Sequence, residues 1–381
     1  MKSIIVKICK FILSRIPLRN IIAFESHPDM SDNPRAVFDE MVRRGLNKKY
    51  KLVWVLNTDT DYRLDKSIKN VYYISHHSCT YKDRIKRYYV LSSAKVLISS
   101  NDHLKKYNRK SFHINLIHGS AIKDCRPYYY FPDDIDCALE LSDYLAESTA
   151  KSISFDAEKF VALGFPRNDD LFCKINIKSF FDKDFDKIVY WLPTYRQHKN
   201  NDKIIHSDIS MPIIRNIELA EKINTYASNH NVLIVVKPHP AQDVSKIQQY
   251  NFSNLIFIND SFFTENGILP YQFLGNCDAL LTDYSSVYID FLLCDKPIGL
   301  CWDDYDEYEQ REGFIVDMNT VMAGGEKIYT CSDLETFIEE VSKGKDTLKD
   351  KRNEVLDLTH KYKDNNSSKR VVDFIMEKIS K

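Results

Sequence analysis

Short runs of apolar residues, rich in Val and Ile and closed by polar or turn residues, alternate with helical spacing along almost the whole chain. No other feature constrains the fold as much. Repeated β-α-β order requires crossover helices, and these leave room only for parallel sheets covered on both faces. Runs at residues 21–26, 51–57, 71–75, 95–100 and 113–119 read as strands, with helical spacing at 33–46 and 82–93. Pro34, behind Ser31, Asp32 and Asn33, marks a helix start, because its missing N–H costs nothing in a first turn. Runs at 137–142 and 160–165 complete a first α/β unit. A charged, aromatic stretch at 174–187 reads as a linker. The alternation then restarts at 188–194, 232–236, 255–259, 279–282 and 297–302, with helices at 209–229, 285–294, 332–342 and 369–379.

A chain of 381 residues exceeds one ordinary core. The expected organisation is a basic amphipathic segment over 1–20 and two Rossmann-like α/β domains over 21–180 and 186–381. The last helix is expected to pack back on the first domain. Ligands bind beyond the C-terminal ends of parallel strands, so two facing domains are expected to place a site in a central cleft.

Composition narrows the ligands. The net charge of −1 offers no general attraction to nucleic acid, so an anionic ligand must be held by local basic groups. Only ten glycines are present, which disfavours a glycine-rich nucleotide loop. The nine cysteines include no C-x-x-C pair and are odd in number, so they read as reduced thiols, with neither disulfide frame nor zinc site. No metal site is expected: Asp59-Thr60-Asp61 lies in a polar loop without other ligand types, and His76-His77 has no partner carboxylate nearby in sequence. At the N-terminus Lys7, Lys10 and Arg15 break the apolar run short of a membrane span. Ile4, Ile8, Phe11 and Ile12 share one helical face opposite Lys7 and Lys10. That face suits either a membrane interface or packing on the first domain.

Polar groups cluster just after predicted strands, where a cleft would lie. His118-Gly119-Ser120 presents an imidazole beside bare backbone N–H groups. In Lys237-Pro238-His239-Pro240 two prolines fix the backbone around a cation and an imidazole, which suits phosphate binding. Thr282-Asp283-Tyr284-Ser285-Ser286, before a helix, combines hydroxyls with a positive dipole end; an ordinary N-cap would look the same. Arg196 after Pro193-Thr194-Tyr195, and Arg167 with Asn168 and Asp169 after Gly164-Phe165-Pro166, are guanidiniums placed to clamp phosphate or to sit solvated in turns. The acidic run 303–309 reads as a solvated loop, with Arg311 beyond it in reach of the cleft.

Taken in order, these stretches resemble the CDP-glycerol glycerophosphotransferase family of teichoic-acid enzymes. Ser31-Asp32-Asn33-Pro34-Arg35 is similar to its opening motif, and His118-Gly119-Ser120 to its H-G-T. Gly164-Phe165-Pro166-Arg167-Asn168-Asp169, Pro193-Thr194-Tyr195-Arg196 and Lys237-Pro238-His239-Pro240 follow in register. The segment from Thr282 to Ser286, with Asp290-Phe291 and Asp295-Lys296-Pro297 behind it, matches most closely. Two departures bear on acceptor and polyol identity rather than on reaction class: Ile117 replaces a usual aromatic, and a Pro-Gly-Pro after Arg311-Glu312-Gly313-Phe314 is absent.

The resemblance implies a GT-B fold, a CDP-polyol donor, release of CMP without a cofactor, and peripheral attachment to the inner face of the membrane. The acceptor would be a lipid-linked or polymeric polyol phosphate or glycan of teichoic acid or capsule. Attack on phosphorus needs a base and fixed positive groups. His118 is the expected base and His239 its catalytic partner on the donor side. Arg196, Lys237, Thr282, Asp283, Ser285, Ser286 and Arg311 are expected to hold the donor, and Gly119, Ser120, Arg167 and Asn168 to line the acceptor side. The alternatives are the same chemistry with CDP-ribitol, a nucleotide-sugar transferase of the same fold, or an inactive scaffold. Oligomeric state, homo-oligomers included, is left open.

Overall fold

The computed structural model describes residues 11–58, 68–77, 80–101, 104–127, 131–195, 211–239 and 249–380. In chain order the first elements are β1 (Arg19–Phe24), α1 (Asp32–Arg43), β2 (Lys51–Leu56), β3 (Val71–Ser75), α2 (Tyr81–Ser93), β4 (Ala94–Ser99) and β5 (Phe112–Asn115). Then come β6 (Cys137–Glu140), α3 (Asp143–Ile153), β7 (Phe160–Ala162), β8 (Lys187–Trp191), α4 (Ile217–Asn229), β9 (Val232–Val236), β10 (Leu255–Phe257), α5 (Asp260–Glu265) and α6 (Pro270–Asn276). The remainder is β11 (Ala279–Thr282), α7 (Val287–Phe291), β12 (Ile298–Cys301), α8 (Tyr305–Glu312), α9 (Met318–Val321), β13 (Glu326–Ile328), α10 (Cys331–Ser342), α11 (Lys349–Thr359) and α12 (Ser367–Ser380).

The chain forms two compact units: Met1–Ser120, Tyr128–Asp169 and Lys361–Lys381 make the first, Ala121–Pro127 and Asp170–His360 the second. The first holds a seven-stranded sheet in the order β3-β2-β1-β4-β5-β6-β7, the second a six-stranded sheet in the order β10-β9-β8-β11-β12-β13. Every pairing in both sheets is parallel. Central strands such as β9, VLIVV, are buried along their whole length, as a sheet covered on both faces demands.

In the first unit, Ile21, Ala23, Val53, Val55 and Leu97 make one sheet-face core with Val90 and Leu91 of α2. In the second, Val189, Trp191, Ile234 and Leu281 pack with α4 and α10. The carboxylate of Asp169 accepts the backbone N–H groups of Ser367 and Ser368, both at 2.8 Å, and so caps the start of α12. Gly164, at φ +83°, passes so close to Ser367 that a Cβ would lie 2.5 Å from its hydroxyl oxygen.

Several expected boundaries move. The strand expected over 113–119 ends at Asn115, and the helix expected over 285–294 is α7 followed by a 3₁₀ turn, Leu292–Cys294. The acidic run 303–309 is no loop: it enters α8, whose Asp306 and Glu307 lie in the first turn and Arg311 in the last, matching the helix dipole. The stretch 174–187 carries a 3₁₀ turn, Ile177–Phe180, and the first residue of β8.

Candidate functional site

In the first unit the site is built where β5 ends. Asn115 turns its side-chain oxygen back to accept the N–H of Ile117 at 2.8 Å, and Ile117 takes φ +46°, rare for a β-branched residue. The buried amide of Asn33 holds this turn by donating to the carbonyls of Leu116, at 3.1 Å, and Ile117, at 2.9 Å. The same side chain accepts the N–H of Arg167 at 3.1 Å. Asn33 thus joins three strand exits, after β1, β5 and β7.

Asp32, the neighbouring residue at φ +59°, carries the electrostatics. One carboxylate oxygen accepts from Arg167 Nη1 at 2.7 Å; the other lies 2.6 Å from Nδ1 of His118. Burial alone would raise the Asp32 pKa, but the Arg167 guanidinium and the His118 hydrogen bond outweigh it and hold the group at about 2. Asp32 is therefore ionised at neutral pH. A neutral His118 ring then donates from Nδ1 and keeps Nε2 as a proton acceptor, on a side chain that is 66% exposed.

Arg167 is committed to Asp32, and Asn168 and Ser120 are buried, so these three shape the loop around His118 rather than standing open to a ligand. Gly119 follows His118 in the same turn. Asp32 and Asn33 were not among the expected site residues. The signal was their place in the Ser31–Arg35 motif, but their partners lie more than eighty residues away.

In the second unit, β9, β8 and β11 are neighbours in one parallel sheet, so their C-terminal loops emerge side by side. Backbone bonds lace them together: Lys237 N to Trp191 O at 2.9 Å and Leu192 N to Leu281 O at 2.8 Å. Both carboxylate oxygens of Asp283 accept the N–H of Thr194, and one also accepts that of Tyr284 at 2.6 Å. Thr282 donates its hydroxyl to the carbonyl of Leu192 at 2.8 Å. Both side chains are fully buried and committed to these contacts, so in this structure they brace the loops rather than face outward.

Less buried than these are Ser285, Ser286 and Lys237, and His239 is exposed. Ser285 Oγ accepts the N–H of Val287 at 3.4 Å, which leaves its proton to donate. The amides of Tyr288 and Ile289 are bonded to the Ser285 and Ser286 carbonyls, so α7 offers less at its N-terminus than expected. Lys237 Nζ pairs with Asp260 at 2.9 Å, and the exposed His239 ring lies 5.3 Å from that of Tyr195. Arg196 lies outside the described residues.

Behind these loops Tyr284 stacks on Tyr308 with centroids 4.0 Å apart and donates to Asp304 at 2.9 Å. Two cations flank Tyr308. Arg311 lies 4.8 Å from its ring centre, and Lys123 Nζ donates to its hydroxyl at 2.9 Å. Burial would lower the Lys123 pKa, but the Tyr308 oxygen and the carboxylates of Asp283 and Glu312 raise it, so the ammonium stays charged. Lys123 was not expected; its place just behind His118-Gly119-Ser120 was the available sign. Among the described residues no His, Cys, Asp and Glu group could hold a metal ion. Burial pushes the thiols of Cys137 and Cys294 up to about 12, which removes them as nucleophiles.

Residues 8–377 match the family model described as CDP-glycerol:poly(glycerophosphate) glycerophosphotransferase. Teichoic acid glycerol-phosphate primase of Bacillus subtilis (strain 168) is 24% identical over 318 residues, covering 78% of this chain and 77% of the relative. Teichoic acid poly(glycerol phosphate) polymerase of Bacillus spizizenii is 24% identical over 412 residues, covering 98% of each. The solved wall teichoic acid polymerase TagF superposes with a TM-score of 0.72 at 18% identity, over 100% of this chain and 96% of that one, and shares its GT-B fold. With nearly its whole length matched and both sheets of the fold in place, the chain belongs to the CDP-glycerol glycerophosphotransferase family and is a glycerophosphotransferase enzyme.

Proposed function

We propose that the enzyme transfers glycerol phosphate from CDP-glycerol to a hydroxyl of a lipid-linked or polymeric teichoic-acid or capsule acceptor, at the inner face of the membrane. The observation that carries this reading is the exposed His118 ring, bonded through Nδ1 to an ionised, buried Asp32. In the reaction, His118 Nε2 takes the acceptor proton as the acceptor oxygen attacks the glycerol-bearing phosphorus. The diphosphate P–O bond breaks, and its bridging oxygen leaves with CMP. His118 then returns the proton to solvent.

Negative charge grows on the leaving phosphate, so fixed donors are needed there. Ser285, Ser286, Lys237 and His239 fill that role, joined by Arg196 and by Arg311. A lipid-linked acceptor requires the enzyme to work at a bilayer surface. Among the described residues no helix is long and apolar enough to cross one, so a peripheral mode is proposed.

The test is nucleotide release by purified protein. With CDP-glycerol and a glycerol-phosphate acceptor, stoichiometric CMP is expected. CMP from CDP-ribitol alone would reassign the polyol, UDP from a UDP-sugar would reassign the reaction, and no release from any donor would leave a scaffold.

A further inference from the structure

Helix α2, YKDRIKRYYVLSS, packs in an unusual way. A helix lying on a sheet normally buries an apolar residue in every turn and shows water a polar face. Here nothing before Val90 is buried; only the last turn, Val90 to Ser93, enters the core. The apolar residues of the earlier turns point outward instead. Tyr81 is 79% exposed, Ile85 54%, Tyr88 37% and Tyr89 40%.

These four sit at positions i, i+4, i+7 and i+8, which is one stripe of an α-helix. Val90 lies far round the helix from that stripe. Cations line both edges: Lys82 and Lys86 on one side, Arg84 and Arg87 on the other, against a single acidic residue, Asp83. An outward tyrosine and isoleucine stripe between rows of Lys and Arg is chemically suited to lie in a bilayer interface. Tyrosine partitions to headgroup depth, and the cations meet anionic lipid.

A second observation places another apolar segment beside it. The Asn108 side chain donates to the carbonyl of Ser92, at the end of α2, and to that of Ile16, at 3.1 and 2.8 Å. Arg19 extends over the Tyr89 ring at 5.7 Å. The chain leading to Ile16 carries Phe11 and Ile12, each 58% exposed, with Arg15 over the Phe11 ring.

We propose that the outward face of α2 is a docking surface for anionic phospholipid, continuous with the segment that ends at Ile16. This deepens the membrane-facing part of the function proposed above and names the surface that meets the bilayer. It does not depend on the chemistry at His118.

The experiment uses the full chain and vesicles of phosphatidylglycerol with phosphatidylcholine, or of phosphatidylcholine alone, in flotation without substrate. Two variants keep residues 1–20 intact: Lys82→Gln/Arg84→Gln/Lys86→Gln, and Tyr81→Ser/Ile85→Ser. All five side chains are exposed, so both variants should fold, as circular dichroism would verify. The parent is expected to float with anionic vesicles, less so in high salt, and not with phosphatidylcholine alone. Each variant should lose roughly tenfold or more in partitioning, since each cation near such a surface contributes several-fold. Variants that float like the parent overturn the proposal, because the N-terminal segment alone would then hold the protein. A parent that binds no vesicle overturns it too, as does one whose α2 instead mediates dimers or binds RNA. Absence of CMP release alongside intact flotation would count against the proposed reaction and leave this surface standing.

Discussion

Nδ1 of His118 lies 2.6 Å from a carboxylate oxygen of Asp32, 86 positions away in the chain, while Arg167 holds the other oxygen at 2.7 Å. The guanidinium keeps the aspartate charged, the aspartate fixes the imidazole tautomer, and the exposed Nε2 is left to accept a proton. Sequence spacing alone does not contain this arrangement; the loops after β1, β5 and β7 assemble it.

Loss of the base should cost about 10²–10⁴-fold in turnover. His118→Ala is expected to release CMP that much more slowly while titrating CDP-glycerol with unchanged affinity. Asp32→Asn should show a large part of the same loss, because an amide no longer enforces the Nδ1–H tautomer. Near-normal CMP release by His118→Ala would remove the histidine from the role of base.

Asp32 also makes a claim about acid stability. Its folded pKa, about 2, lies below the ordinary 3.8. The unfolded chain therefore binds the proton first as pH falls. The stabilisation is complete above pH 4 and is lost as pH falls through about 2; it amounts to about 2 kcal/mol. Urea unfolding of the parent and Asp32→Asn from pH 6 to pH 2 should show the parent losing that increment and the variant not.

His360 has the opposite chemistry and the same sign. It is buried after α11, its Nδ1 2.9 Å from the Thr359 hydroxyl, and burial lowers its pKa from 6.5 to about 4 despite the nearby Asp290 charge. The unfolded chain takes up the proton between pH 6.5 and 4 while the folded one resists. Stability should fall by roughly 3 kcal/mol across that window. A His360→Leu variant should be nearly flat there, in denaturant titrations at pH 7.5, 6 and 5.

Much of the fold was legible. Val232–Val236 and Ala279–Thr282 begin and end where their apolar runs do, because strands buried on both faces must be apolar throughout. Less was legible where a few tertiary contacts decide. The three residues of β13 are too short for a period, and α8 is polar enough to read as a loop although Tyr308 anchors it. In the site, His118, His239, Ser285 and Ser286 could be singled out by their places after strands. That Asp283 and Thr282 brace the loops instead of facing a ligand could not, since it depends on Thr194 and Leu192 across the sheet.

This division of labour in the second unit can be separated experimentally. Ser285→Ala/Ser286→Ala should keep the fold and weaken CDP-glycerol binding by roughly 1.5–3 kcal/mol per lost hydrogen bond to phosphate. Asp283→Ala should instead lower the thermal midpoint, because it leaves the N–H of Thr194 without its acceptor in a buried setting. Calorimetry showing full donor affinity in the folded serine double variant would refute this placement of the diphosphate.

His239 should differ from His118 in kind. It follows β9 beside Lys237, on a backbone stiffened by Pro238, with its ring against that of Tyr195. Negative charge on an adjacent diphosphate favours a protonated imidazole, and once charged the ring binds that diphosphate and steadies the departing CMP. His239→Ala is therefore expected to weaken CDP-glycerol affinity and turnover together, whereas His118→Ala loses turnover alone. His239→Gln, which keeps a hydrogen-bond donor without the charge, should recover part of the affinity and less of the rate. Donor titration and CMP release on the three variants decide the matter. Unchanged affinity in His239→Ala with a rate loss equal to that of His118→Ala would mean that both histidines handle the proton, and that the diphosphate is held by the serines, Lys237 and the arginines alone.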